Sequence, residues 1–207
     1  CSAYYSGQNY SLVLVGGGLY DNNTAIWDTI VALGGGKGVA RFGVVSAASE
    51  DPCCDDDSSW VYYQNLLTQY GAAEVYFINV TLNNTENNAN EDIVNHVKTL
   101  TGFFFGGGDQ LRIIKSFYNY NEKVPSPVLQ AIKETLLATG GVVAGTSAGT
   151  DCQTGNVMIS GGESYTAEIT WEPIEYPNPS VLTGYGPGGI ALFPHGLVDT
   201  HFANRGR

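Results

Sequence analysis

A serine between two glycines, in the stretch GVVAGTSAGT at residues 141–150, is the feature of this sequence with the clearest chemical potential. The apolar run of Val142, Val143 and Ala144 precedes it and helix-compatible residues follow, which predicts a strand, a sharp turn and a helix. In a nucleophile elbow, the glycines of G-x-S-x-G remove side-chain clashes so that the serine can occupy a strained turn. Ser147 is therefore a candidate nucleophile with strained dihedral angles, although an ordinary turn rich in small residues is the alternative.

A serine nucleophile needs a general base within hydrogen-bond reach, and three histidines are available. His96 falls on a predicted helix, where a solvent-exposed surface role is the better interpretation. His195 follows a proline in a predicted turn and is interpreted as structural. His201 stands in DTHFANRGR, at the predicted end of a strand and close to Asp199. We predict that His201 is the base and that its ring lies within hydrogen-bond reach of Ser147 Oγ.

Alternating strand-like and helix-like segments must position these residues. Five short apolar runs, SLVLV, VARFGVV, EVYFINV, GFFF and GVVAG, are separated by segments with helical spacing and caps. This alternation predicts an α/β fold, with a mostly parallel, buried sheet and helices on both faces, in one domain over residues 1–207. Ligands of such sheets bind at the carboxyl ends of the strands, where the turns GGGL, GGGDQ and GTSAG fall. After residue 151 we expect loops and short strands, until IALFPHGLVDTH resumes a strand-like pattern.

Charge and motif spacing argue against several other functions. The chain has 9 Lys and Arg against 20 Asp and Glu, and the net charge of -11 disfavours binding to a nucleic acid. A dinucleotide site at GGGLYD is disfavoured because G-x-G-x-x-G would need glycine where Asp21 stands. No apolar stretch approaches the roughly 20 residues that cross a bilayer. The cysteines lack the paired spacing of a zinc site, and we expect neither a metal nor another cofactor.

Several features predict a secreted protein with disulfides. The chain begins at Cys1 without an initiator Met, as a mature protein does after removal of a leader, although a processed bacterial lipoprotein also begins at Cys. We predict that Cys152 bonds to Cys53 or Cys54 and Cys1 to the other, because a bond between adjacent cysteines is strained. Four N-x-S/T sequons predict glycosylation, at Asn9, Asn22, Asn79 and Asn83.

Taken together and in this order, GGGDQ, GTSAGT and DTHFANRGR resemble cyanophycinase and the wider family of serine peptidases that includes aspartyl dipeptidase. The resemblance implies a flavodoxin-like three-layer sandwich related to class I glutamine amidotransferases. It also implies Ser147 as nucleophile, His201 as base, and the backbone N–H groups of Gly108 and Ala148 as oxyanion donors. The residues that it places in the substrate pocket, where guanidinium groups suit an aspartyl carboxylate, are Gln110, Asp199, Arg205 and Arg207.

The triad acid of that family is a glutamate downstream of the histidine motif, and no residue of this chain matches it. Because Arg205-Gly206-Arg207 resembles the product of trypsin-like cleavage, we predict that a second polypeptide from the same precursor completes the sheet and supplies the carboxylate. A strand donated by a neighbouring subunit, or a lost acid, are the alternatives. The predicted function is a secreted serine peptidase or isopeptidase that cleaves at aspartyl residues through an acyl-enzyme. A non-catalytic secreted glycoprotein used for binding or assembly, or a hydrolase of non-peptide amides, are the alternatives.

Overall fold

The computed structural model describes residues 9–119, 124–155, 157–160, 183–185 and 188–201. The predicted site residues that lie outside these ranges are Cys1, Arg205 and Arg207.

The elements that the sequence predicts before residue 151 are all present. The strands of the described residues are β1 (Ser11–Val15), β2 (Arg41–Val45), β3 (Glu74–Phe77), β4 (Gly102–Phe105), β5 (Tyr118–Asn119), β6 (Val124–Pro125), β7 (Val142–Thr146), β8 (Met158–Ser160) and β9 (Thr183–Tyr185). The α-helices are α1 (Thr24–Leu33), α2 (Ser59–Gln69), α3 (Glu91–Val97), α4 (Gln110–Phe117), α5 (Pro127–Thr139) and α6 (Ala148–Asp151). A short 3-10 helix, Thr85–Ala89, precedes α3.

Five strands form one parallel sheet in the spatial order β1, β7, β4, β2, β3, which confirms the predicted fold class. The strand that leads to the candidate nucleophile, β7, lies between β1 and β4. In the register of this sheet, Val15 pairs with Thr146, and Phe105 pairs with Gly145. The three glycine-rich turns that follow these strands therefore emerge side by side at the carboxyl edge of the sheet.

Helices cover both faces of the sheet. The side chain of Phe104 packs in a cluster with residues of α1 and α2, whereas Phe103 and Phe105 pack in a second cluster with residues of α3, α4 and α5. Because successive strand residues point to opposite faces, all three phenylalanines of GFFF are fully buried. No helix in the described part of the chain has the length and apolar character needed to cross a bilayer.

The strand predicted for IALFPHGLVDTH is wrong. Within residues 188–201, the structure has a single β-bridge, at Phe193. Pro194 follows immediately and has no backbone N–H to continue a ladder of hydrogen bonds. The segment instead contacts the sheet through its last described residue, His201, whose backbone N–H donates to the carbonyl oxygen of Gly16, directly after β1, at 2.6 Å.

The predicted disulfide pairing is also wrong. Cys53 and Cys54 are bonded to each other in the turn between β2 and α2, and Cys152 is a free thiol. The helical turn after β7 points Cys152 into the core, where its thiol donates to Gly149 O at 3.3 Å, so it cannot reach a surface turn. Burial, followed by the charge of Asp151, raises the pKa of this thiol, which makes it unreactive.

Candidate active site

Ser147 lies at the sharp turn between β7 and α6. Its dihedral angles, φ 52° and ψ -121°, are rare for a residue with a side chain and confirm the predicted strain. The turn is held from both sides: the N–H of Ser147 donates to Val15 O at 3.0 Å, and its carbonyl accepts from the N–H groups of Thr150 and Asp151. The surrounding backbone therefore maintains a conformation that the serine alone would avoid.

Ser147 and His201 form a hydrogen-bonded pair. The distance from Ser147 Oγ to His201 Nε2 is 2.9 Å, which confirms the predicted contact. Next to His201, the hydroxyl of Thr200 donates to the buried carboxylate of Asp151 at 2.9 Å, which ties this segment to α6. A neutral imidazole with Nε2 unprotonated can accept the proton of the serine hydroxyl, so the pair has the arrangement of a nucleophile and its general base.

The turn after β1 makes room for the imidazole. A Cβ built on Gly17 would lie 2.4 Å from both Cε1 and Nε2 of His201, which is far inside van der Waals contact. The φ of Gly17, 113°, is also one that residues with side chains rarely adopt. Glycine at this position is therefore required for the observed placement of the His201 ring.

Replacing Gly17 with alanine is expected to slow reaction at Ser147 by about 10²-fold, because a displacement of about 1 Å of a catalytic group has an effect of that size. The rate of labelling by a fluorophosphonate probe measures it. Gly36→Ala is the matched control, since Gly36 also has a positive φ, 92°, but no atom within 4 Å of an added Cβ. Similar rates for the two variants would show that the contact with His201 does not matter.

A cavity of about 210 Å³ opens beside the Ser–His pair. Its lining consists of Gly18, Leu19, Trp27, Tyr62, Tyr63, Gly107, Thr146, Ser147 and His201. Apart from the histidine, the side chains of this lining are uncharged, and the largest are aromatic. The hydroxyl of Tyr62 donates to the carboxylate of Asp21. Burial first, and then this hydrogen bond and the charge of Asp21, raise the pKa of Tyr62, so its hydroxyl stays protonated.

The predicted oxyanion donors lie on the two turns that meet at the serine. Ala148 is the first residue of α6, so its N–H has no partner within the helix. Gly108 has φ 135°, and an added Cβ would lie 2.2 Å from Ala48 O. The cavity lining contains Gly107 rather than Gly108. The oxyanion role of Gly108 and Ala148 remains a prediction.

Gly107 and Tyr63, which lie next to Ser147 in the site, were not predicted from the sequence. A Cβ built on Gly107 would lie 3.5 Å from Ser147 Cβ, and the N–H of Gly107 donates to the hydroxyl of Tyr63 at 3.1 Å. Gly107 belongs to a motif that the sequence does single out. Tyr63 carries no such signal, because an aromatic residue on an amphipathic helix is most often a core residue.

The predicted substrate-binding side chains that the structure describes make other contacts. Gln110, the first residue of α4, donates from Nε2 to Ile159 O of β8 at 2.8 Å. Asp199 Oδ1 accepts from the N–H of Thr200 at 2.9 Å. Neither side chain belongs to the lining of the cavity, so their role in substrate binding stays a prediction.

The other two histidines lie outside the lining of the cavity. His96 lies on α3, where its ring stacks on Tyr76 and forms a hydrogen bond with Glu74. Its side chain is 36% exposed, so it lies at the surface but is partly covered rather than fully exposed as predicted. His195 lies in an exposed turn, with its ring edge-on to Phe193.

No protein-family model matches this chain. It is similar to cyanophycinase from Synechococcus elongatus, with 29% identity over 168 residues that cover 81% of this chain and 45% of that protein. It is also similar to cyanophycinase from Nostoc sp. strain PCC 7120, with 28% identity over 172 residues, 83% of this chain and 50% of that protein. The chain therefore spans about half the length of the curated relatives that it matches.

Two solved structures share the fold. A peptidase from an acI-B1 Actinobacterium superposes with a TM-score of 0.63 at 22% identity and covers 94% of this chain and 69% of that one. A peptidase E protein from Listeria monocytogenes EGD-e superposes with a TM-score of 0.50 at 11% identity, covering 87% and 74%. At these identities the likeness shows the α/β fold. The chain is therefore similar in sequence to cyanophycinases, and it shares its fold with these two peptidases.

Proposed function

We propose that this protein is a serine peptidase or isopeptidase in which Ser147 is the nucleophile and His201 the general base. One observation carries the proposal: Ser147 Oγ lies 2.9 Å from His201 Nε2, at a serine whose φ is 52°. A hydrogen bond between serine and histidine is common on protein surfaces. Its combination with a strained turn at the carboxyl edge of a parallel sheet, beside a cavity, is typical of a nucleophile elbow.

The reaction has two steps. As Ser147 Oγ attacks the substrate carbonyl carbon, its proton passes to His201 Nε2, and the negative charge moves onto the carbonyl oxygen. The backbone N–H groups of Gly108 and Ala148 are the proposed donors to that oxygen. The carbon–nitrogen bond then breaks as His201 returns the proton to the departing amine. Water, activated by His201, attacks the remaining ester and releases the acid product and the free serine.

The proposed substrate has an aspartyl unit next to the scissile bond. Support comes from the curated relatives, which are named cyanophycinases, and from the motif DTHFANRGR, which resembles that family's motif and contains Asp199, Arg205 and Arg207. Two guanidinium groups would suit a substrate carboxylate, since arginine binds carboxylates through two parallel hydrogen bonds.

We also propose that the protein is secreted. Three of the four sequon asparagines are exposed: Asn9, Asn22 and Asn83. The disulfide between Cys53 and Cys54 supports an oxidising compartment. Asn79 is only partly exposed, and its Oδ1 accepts a hydrogen bond from Asn84. Mapping of glycans on protein purified from its native source tests the proposal.

Covalent labelling tests the catalytic role. We expect a fluorophosphonate probe to modify the wild-type protein at Ser147, because such probes react with activated serines and leave ordinary hydroxyls unmodified. Ser147→Ala should lose the label completely, whereas Ser59→Ala, at the start of α2, should keep it. Peptide mass mapping identifies the modified residue. A wild-type protein that does not react would instead support the non-catalytic alternative.

A further inference from the structure

Tyr63 is a buried polar side chain in the wall of the cavity that contains Ser147 and His201. It belongs to α2 and is 8% exposed. Its hydroxyl accepts a hydrogen bond from the N–H of Gly107 at 3.1 Å. Its ring packs on the neighbouring glycine, because a Cβ built on Gly106 would lie 2.6 Å from Tyr63 Cε2. The glycine turn after β4 is therefore shaped to receive this tyrosine.

The hydroxyl proton of Tyr63 is available to the cavity. A phenol can accept one hydrogen bond and donate another at the same time. In the part of the chain that the structure describes, the oxygen accepts from Gly107, and no acceptor is bonded to the proton. Burial raises the pKa of Tyr63 by more than the hydrogen bond from Gly107 lowers it, so the group keeps its proton. The backbone N–H also polarises the O–H bond and strengthens it as a donor.

The other tyrosine and the tryptophan of the lining have their donors occupied. The hydroxyl of Tyr62 donates to the carboxylate of Asp21, and this residue is 41% exposed. The indole N–H of Trp27 donates to Tyr20 O at 3.1 Å. Of the two tyrosines and the tryptophan that line the cavity, Tyr63 is therefore the one whose donor has no acceptor in the described part of the chain.

Tyr63 and Ser147 approach the same point of the glycine turn. A Cβ built on Gly107 would lie 3.5 Å from Ser147 Cβ and 4.0 Å from the hydroxyl oxygen of Tyr63. Both residues line the same cavity, so an oxygen on a carbon that Ser147 attacks would lie in the space that this hydroxyl borders. The N–H of Gly107 already donates to Tyr63 and cannot donate fully to a substrate oxygen as well. The O–H group of Tyr63 is therefore the donor that this part of the glycine turn presents to the cavity.

We propose that Tyr63 is a further catalytic residue, which donates a hydrogen bond to the negatively charged oxygen of the tetrahedral intermediate formed on Ser147. The inference rests on the proposed function of the Ser147 and His201 pair. A donor held in place before the reaction stabilises charge that appears only in the transition state, and tyrosine hydroxyls serve in this way in acyl transfer. The backbone donors and Tyr63 would then act together on one oxygen.

Tyr63→Phe tests this role because it removes the hydroxyl and keeps the ring. We expect the labelling rate of Ser147 at saturating fluorophosphonate to fall by about 10²-fold, as on loss of one oxyanion donor. The probe concentration that gives half the maximal rate should not change, since the donor acts on the transition state. Tyr70→Phe is the matched control: Tyr70 is also 8% exposed, but its hydroxyl donates to Asp21 O and does not line the cavity.

The outcomes separate this inference from the proposed function. Equal maximal rates for Tyr63→Phe and the wild type would overturn the role of Tyr63 while labelling of Ser147 still supports the peptidase. A higher probe concentration for half the maximal rate, with an unchanged maximal rate, would overturn the role too. A residue that only supports the glycine turn would affect probe binding in this way and leave the transition state unaffected. If Tyr63→Phe does not fold, 3-fluorotyrosine at position 63 is the second variant, and an unchanged rate with this stronger donor would overturn the role. No labelling of the wild type would overturn the proposed function and this inference together.

Discussion

Replacing His201 with glutamine is expected to slow the fluorophosphonate labelling of Ser147 by about 10⁴-fold. The structure places His201 Nε2 2.9 Å from the serine hydroxyl, where it can remove the proton as the oxygen attacks. Glutamine can form a hydrogen bond at this position but cannot accept a proton at neutral pH. The rate of labelling, measured over a range of probe concentrations, reports the loss directly.

The other two histidines provide internal controls. His96→Gln alters a residue that is stacked on Tyr76, and His195→Gln alters an exposed turn, so both variants should react at the wild-type rate. An equal loss in all three variants would indicate a general effect on folding. Undiminished labelling of His201→Gln would exclude this histidine as the base, even though it contacts the serine.

Replacing Gly149 with alanine is expected to lower the free energy of unfolding by about 3 kcal/mol. A Cβ at this position would lie 2.0 Å from Phe105 O and 2.8 Å from Gly106 O, both of which are backbone atoms at the end of β4. No side-chain rotation can relieve such a collision, so α6 must move away from the sheet. A Cβ on Gly145 would in turn lie 2.3 Å from Gly149 O, so the two glycines of GTSAG allow strand and helix to meet.

Urea unfolding of Gly149→Ala and of a control variant measures this effect. Gly196→Ala is the control, because the nearest atom to its added Cβ is Phe193 Cε1 at 3.7 Å, an ordinary contact. We expect its stability to stay within about 0.5 kcal/mol of the wild type. Wild-type stability of Gly149→Ala would mean that α6 is not packed against β4 as the structure describes.

Much of the fold could be predicted because its signals are local. The run GFFF is too short for a helix and apolar at three successive positions, and a strand covered on both faces is the arrangement that buries all three side chains. Proline at the start of α5 and the left-handed Gly140 at its end are equally local signals. Parallel strands joined by short connections leave few possible orders of strands in the sheet. In each of these orders, the glycine turns that follow the strands lie at the carboxyl edge of the sheet.

The wrong predictions concern segments whose conformation depends on distant residues. The apolar residues before His201 predict a strand, but side chains such as Ile190 and Leu192 are buried against the core without forming a sheet. The disulfide prediction fails because the sequence does not show which way the side chain of Cys152 points after Ser147. In the structure it points into the core. Burial of a side chain and pairing of a strand leave the same apolar signal in a sequence.

Residue type and periodicity along the chain suffice to predict the order of the elements, the position of the strained serine and the selection of His201 among three histidines. Three contacts become visible only in the folded chain: the His201 ring packs on Gly17, Tyr63 binds the N–H of Gly107, and Cys152 is buried as a free thiol. The pair formed by Ser147 and His201 itself joins residues 54 positions apart. Such contacts depend on how closely elements approach when they pack, and local spacing along the chain does not record that distance.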